Sequence, residues 1–279
     1  MLWNNYYSQN NINLSTIDSC IKTKDYLGAA LLYEKASFLS DNESESDSLK
    51  IISANYYKFA SHHSDAIDIL KNINITNKND SLKWWIKYQI ALNYYLLNDL
   101  ASAKNELTAI YFLIKDSAFH FKSYPLHILI LNELYEWQES KKLLAALNNY
   151  IFKQDSKILI YNTHIIDSLY DKKNLPKLKN PHKSVMLSTF IPGAGQIYSG
   201  NLLEGSISFL SCASIAFLTL VGIYYQYYFT AIIAGSSLWA KFYTGNITRA
   251  EFLAQKHNYV KTKSYNQHLK NFVIQNFLK

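Results

Sequence analysis

The chain has 279 residues, 49% of them hydrophobic, and a formal net charge of +7 built almost wholly from lysine, with Arg249 the single arginine. That length allows one or two domains, and two lone cysteines, Cys20 and Cys212, exclude a disulfide framework. The basic residues form no dense patch interleaved with aromatics, which points away from nucleic acid as a partner, and cluster instead on both sides of an apolar region.

Met1 to Asn13 offers neither a basic n-region nor an apolar h-region, so no secretory leader is expected there. Beyond it, small residues recur at a fixed interval. Ala29, Ala66, Ala103 and Ser140 stand 37 residues apart. Each is followed three and four positions on by large residues: Leu32 and Tyr33, Ile69 and Leu70, Glu106 and Leu107, Leu143 and Leu144. Tyr26, His63, Leu100 and Trp137 precede them by three positions. Residues 48–61, 82–97 and 118–136 carry apolar side chains at helical spacing, and Ser-His-His-Ser (61–64) and Leu-Asn-Asp-Leu (97–100) separate them from the next helix. A small residue in the second helix of each pair lets the two helices approach closely. Trp84, Trp85, Tyr88, Tyr94 and Tyr95 crowd one helix and read as core rather than as a ligand groove.

This pattern resembles a tetratricopeptide (TPR) array over about residues 14–170. The resemblance implies stacked helical hairpins that hold a protein partner on a concave face; a helical domain that packs only on itself is the alternative.

Residues 171–183 hold five lysines and two prolines, which reads as a linker rather than a helix. It is either plainly solvated or in contact with anionic headgroups. From Gly205 to Tyr225 there are 21 residues without a charge, enough at about 1.5 Å per residue to cross roughly 30 Å of hydrocarbon. A second apolar stretch, Tyr227 to Tyr243, carries Lys241 near its end, where a lysine can snorkel. The short connection predicts a two-span transmembrane hairpin; two buried helices of a soluble core are the alternative. Ser208, Cys212 and Ala216, and Ala231 and Gly235, recur at four-residue spacing and suit close helix contact in lipid, within the hairpin or in a homo-oligomer. Both flanks of the hairpin are basic, with Lys172, Lys173, Lys177, Lys179 and Lys183 before it and Lys241, Arg249, Lys256, Lys261 and Lys263 after it. The positive-inside rule places both flanks in the cytoplasm.

Ahead of the first span, Pro192, Gly193, Gly195 and Gly200 interrupt an apolar segment that begins at Ser184. Backbone that leaves the helix at such depth needs polar partners, which Gln196, Tyr198 and Asn201 can supply. Asn201 and Glu204 have capping-box spacing at the start of the next helix, giving Glu204 a structural role. The stretch is not a phosphate loop, since Gly-Lys-Ser/Thr is absent and position 198 is tyrosine rather than a third glycine.

Lys183-Ser184, Pro192 to Gly200, Gly205, Gly245-Asn246, Ala250 and Asn258 together resemble the PGxGQxYxG signature of small bacterial membrane domains, the DUF5683 and TM2-like families. The resemblance covers about residues 182–260 and implies a helical envelope-membrane domain without an agreed biochemical activity. Residues 246–279 alternate apolar and basic groups and predict a basic amphipathic helix, lying on the membrane surface or packed onto the N-terminal array.

No spacing of His, Cys, Ser or carboxylates matches a known catalytic or metal-binding pattern, and no cofactor is implied. The sequence therefore predicts an all-α protein in four parts: a TPR-like domain (1–170), a lysine-rich linker (171–183), a membrane domain with a glycine turn (184–245) and a C-terminal helix (246–279). Its expected role is that of a non-enzymatic scaffold in the bacterial inner membrane, with protein and lipid as partners. A small oligomeric transport or channel component is the second reading.

Overall fold

The computed structural model describes residues 14–277; Met1 to Asn13, read above for a leader, lies outside them, as do the last two residues of the C-terminal part. Every regular element among the described residues is an α-helix. The chain divides into two compact units, Met1–Tyr170 with Val273–Lys279, and Asp171–Phe272.

The first unit contains α1 (Leu14–Lys22), α2 (Tyr26–Leu39), α3 (Glu43–Phe59), α4 (His63–Lys71), α5 (Asp80–Leu96), α6 (Leu100–Leu113), α7 (Ser117–Glu133), α8 (Trp137–Phe152) and α9 (Ser156–Leu169). Side-chain caps set most of the helix starts. Asp25, Asn42, Asn79, Asp99, Asp116 and Asp155 each accept a backbone N–H of the first turn, a device worth about 1 kcal/mol. Four interhelix turns share one geometry. Lys24, Ser61, Asn98 and Tyr135, 37 residues apart, adopt positive φ. The N–H of the following residue then donates to the carbonyl five residues back, as from Asp25 to Cys20 (2.8 Å), His62 to Tyr57 (2.8 Å), Asp99 to Tyr94 (2.9 Å) and Glu136 to Leu131 (2.9 Å). This closes the C-terminal carbonyls of α1, α3, α5 and α7 and reverses the chain within three residues.

After each reversal comes the small residue. Ala29, Ala66, Ala103 and Ser140 are all fully buried. Around them the core forms in successive clusters, Ile17, Ala36 and Leu49, then Ala30, Ile67, Leu70, Ile86 and Ile90, then Ala91, Leu107, Ile110, Leu126 and Ile130. Trp84, Trp85, Tyr88, Tyr94 and Tyr95 lean on the last two clusters, half-buried. Trp84 and Tyr88 also line a groove of about 420 Å³ with Phe121, Lys122 and Tyr150. Ser140 stands where the other turns have alanine because its hydroxyl has a partner: it meets the Tyr170 hydroxyl at 2.8 Å, and Tyr170 in turn donates to Asn132 Oδ1 (3.1 Å).

The second unit contains α10 (Pro181–Phe190), α11 (Ala194–Tyr198), α12 (Leu202–Tyr224) and most of α13 (Tyr228–Phe277). Three readings change here. Helix α10 starts at Pro181, inside the segment read as linker, because proline is favourable in the first helical turn and Asn180 caps it through Lys183 N (3.2 Å). A separate C-terminal helix from 246 does not occur; α13 runs unbroken from 228 to 277. A single internal glycine at 245 costs only about 1 kcal/mol of helix stability and no proline adjoins it, so nothing ends the helix there. The expected capping box is also absent. Asn201 occupies the cap position of α12 without a side-chain cap bond, and Glu204 forms a two-pronged pair with Arg249 (2.8 and 3.0 Å). A planar guanidinium offers a carboxylate two parallel charge-assisted bonds, where the Asn201 backbone offers one.

Helices α12 and α13 make an antiparallel hairpin turned at Gln226, which has positive φ. A Cβ at Gly222 would press on Ala231 and one at Gly235 on Thr219, so small residues set how closely the two helices approach. Among the described residues only α12 is long and apolar enough to cross a membrane, with a mean hydropathy of 2.0 over its most apolar eighteen residues. The start of α13 falls short, because Lys241 and its tyrosines, serines and threonines dilute the apolar side chains.

Candidate functional site

The glycine turn between α10 and α12 gathers most of the residues singled out in the sequence. Pro192 leads out of α10, and Gly193 follows in the left-handed region (φ 93°). A side chain there would collide with the Gly205 carbonyl, and one at Gly205 would meet Ile197 and the Gly193 carbonyl. The two glycines thus let the turn lie backbone to backbone on the first turn of α12. Gly200, with φ 91°, closes α11 and directs the chain into α12.

Under the turn lies a polar knot. Gln196 and Asn246 are buried at its centre: Gln196 Nε2 donates to Asn246 Oδ1 (2.6 Å), and Gly193 N donates to the same oxygen (2.9 Å). Ser188 closes the other side, donating to Gln196 Oε1 (3.0 Å) and accepting from Gly195 N (2.9 Å). Asn246 Nδ2 donates to Ser188 O (3.3 Å). Ser184 donates to the carbonyls of Gly195 (2.9 Å) and Ala250 (2.8 Å), and Ser199 also donates to Gly195 O (2.8 Å). Gly195 is small because a Cβ would strike Ser184 O, Ser188 Oγ and the Ala250 methyl. Every buried side-chain polar atom of Ser184, Ser188, Gln196, Ser199 and Asn246 has a partner within the fold.

Two residues fix the entry to the knot. Asn258 clamps the Lys179 backbone from both sides, accepting from its N–H and donating to its carbonyl, each at 2.7 Å. Tyr198 accepts from Asn180 N (3.1 Å) while the Lys179 and Lys183 ammonium groups sit over its ring. Asn201 contributes little beyond a long contact to Ser199 O (3.4 Å). Gly245 has nothing within 4 Å of a Cβ placed on it, so crowding does not explain its identity. Ala29, Ala66, Ala103 and Ser140 lie in the other unit and belong to its packing.

Sequence reasoning missed Ser188 and Ser199. The available signal was a pair of four-residue spacings, Ser184 to Ser188 and Gly195 to Ser199, which puts small polar residues on facing sides of two short helices. Chemically the knot holds backbone in place; it presents no nucleophile beside a base. Among the described residues no group of three or more His, Cys, Asp or Glu side chains gathers as metal ligands would. The most perturbed imidazole is in the first unit. His127 is buried, with Tyr111 OH at 2.7 Å from Nδ1, and its pKa is pushed down to about 4 by burial first and then by the charge of Lys104. No family model, no curated protein and no solved structure matches the chain.

Proposed function

We propose that this protein is a membrane-anchored, non-enzymatic scaffold of the bacterial inner membrane, whose TPR-like hairpins bind a protein partner. One observation carries the anchor: α12 has only 6% of its most apolar eighteen-residue window buried. A core helix of that composition would be covered, since leaving a Leu, Ile or Phe side chain in water forgoes roughly 1.5–3 kcal/mol. Leu203, Leu210, Phe217, Leu218 and Leu220 all stand exposed on α12, and a bilayer is the solvent that accepts them.

The first part of α13 serves as the second limb. Phe229, Ile232, Ile233, Leu238 and Phe242 are exposed on it, and Lys241 lies near the end where its ammonium can reach the headgroups. Trp239 stacked on Tyr243 (4.6 Å) suits the interfacial belt. The PGAGQIYSG turn, resembling DUF5683 and TM2-like domains, then locks α10 and α11 against the hairpin. Because its polar groups are used up in the knot, it serves packing better than it would line a water-filled route.

The hairpin array presents large apolar side chains in the open. Phe38 is 76% exposed and Phe112 85%, two 37-residue intervals apart near the ends of α2 and α6. Such residues suit contact with another protein. The test is purification of the full chain from native membranes in mild detergent, beside Phe38→Glu/Phe112→Glu. A partner that accompanies the wild type and is lost from the variant, at equal amounts of membrane-bound chain, is expected. A wild-type chain that brings down only itself and lipid would overturn the scaffold reading.

A further inference from the structure

We propose that the surface around Tyr198 binds the phosphate headgroup of an anionic phospholipid, with Lys179 and Lys183 as its cationic ligands. This rests on the anchor reading above. The ammonium nitrogens of Lys179 and Lys183 lie 4.8 and 5.4 Å from the centre of the Tyr198 ring. Their positions are built rather than incidental. Asn258 fixes the backbone of Lys179 from both sides, Asn180 caps the helix that carries Lys183, and the Tyr198 hydroxyl is tied to Asn180 N.

Charge around the site is one-sided. Lys179, Lys183 and Lys261 form no ion pair among the described residues; Glu204 is paired with Arg249 and shares its field with Lys256. His257, beside Gly200, is held below the usual imidazole range by burial and then by Lys179 and Lys261, so those two lysines share its field. Two cations over one ring, neither paired with a carboxylate, make a surface that favours an anion. The apolar margin says which kind: Ile191, Ile197, Leu202 and Leu203 stand exposed at the same turn and at the start of the apolar helix. A phosphate attached to acyl chains satisfies both features; a free phosphate or a nucleic acid would leave the apolar side chains in water.

The experiment uses the full chain. Membranes are first washed in alkaline carbonate, and the retained protein is purified in mild detergent and titrated with phosphatidylglycerol or phosphatidylcholine under native mass spectrometry. The wild type should take up phosphatidylglycerol at far lower concentration than phosphatidylcholine. Lys179→Gln/Lys183→Gln should weaken phosphatidylglycerol binding by about thirtyfold, from the usual contribution of a lysine at an anionic surface. Lys179→Arg/Lys183→Arg should keep the preference, and excess inorganic phosphate should leave the lipid bound. Equal uptake of the two lipids by the wild type would overturn the site whether or not the variants fold. So would a preference unchanged in the glutamine variant, or displacement by inorganic phosphate. Release of the wild type by carbonate would remove the anchor and the lipid site together, whereas retention without a lipid preference would remove the lipid site alone.

Discussion

At the residue scale, glycines of the second unit do different work. Gly195 sits where a Cβ would strike a carbonyl oxygen, a serine hydroxyl and the Ala250 methyl, whereas Gly245 has open space around it. Gly195→Val should therefore cost about 1–3 kcal/mol or more, as overpacking of a closed site does, and lower the yield of folded chain from membranes. Gly245→Ala, in the interior of α13, should leave the yield unchanged or raise the melting temperature by the gain of about 0.5–1 kcal/mol that alanine brings to a helix. If the two variants melt alike, the crowding argument is wrong. Ser140→Ala removes one partner of a buried tyrosine hydroxyl and should destabilise the first unit by about 1 kcal/mol, read by chemical denaturation. His127 gives a pH dependence. Its pKa is about 4 in the fold against 6.5 outside it, so the unfolded chain binds the proton more readily. The stability it supports is complete above pH 6.5 and declines as pH falls toward 4. Between pH 7 and pH 5 the first unit should lose about 2 kcal/mol from this group. His127→Gln, which can still accept from Tyr111, should flatten that decline in thermal melts.

At the element scale, the all-α class was legible because apolar spacing near 3.6 residues runs through the chain. The helices read at 48–61, 82–97 and 118–136 appear at 43–59, 80–96 and 117–133. The largest error lies at the start of α3, where the polar run after Asn42 hid a capped first turn. The 37-residue spacing of small residues is also the spacing of the positive-φ turns, and Tyr26, His63, Leu100 and Trp137 each open a helix. The breaks at 61–64 and 97–100 were legible, but the left-handed geometry was not, because those positions hold Lys, Ser, Asn and Tyr instead of glycine. The knot was half legible. Gln196, Asn246 and the glycines drew notice, but the pairing of Asn246 with a turn some fifty residues away is a tertiary fact that local spacing does not encode. Arg249 drew Glu204 away from its expected cap for the same reason. The unbroken α13 was not legible either: the change at 246 from apolar to alternating apolar and basic groups read as a new part, yet Asn246 is buried and bonded in mid-helix.

At the scale of the whole molecule, the proposed scaffold would hold a partner on its helical array and enter lipid through its hairpin. The open apolar surface of α12 and early α13 contrasts with the closed polar knot, and that contrast is what a bilayer would select. The proposed orientation rests on charge: the basic residues lie before α12 and after the apolar part of α13, while the reversal at Tyr224 to Phe229 is uncharged and aromatic. The most direct test of the anchor is site-selective labelling with a membrane-impermeant maleimide. The full chain would carry Cys20→Ser and Cys212→Ala, with one new cysteine at Lys173, Tyr225 or Lys263, all exposed positions. Two crossings predict that Lys173→Cys and Lys263→Cys react only after the inner membrane is opened, while Tyr225→Cys reacts from outside. Labelling of all three from one side, or of the two flanks from opposite sides, would contradict the hairpin anchor on which the account depends.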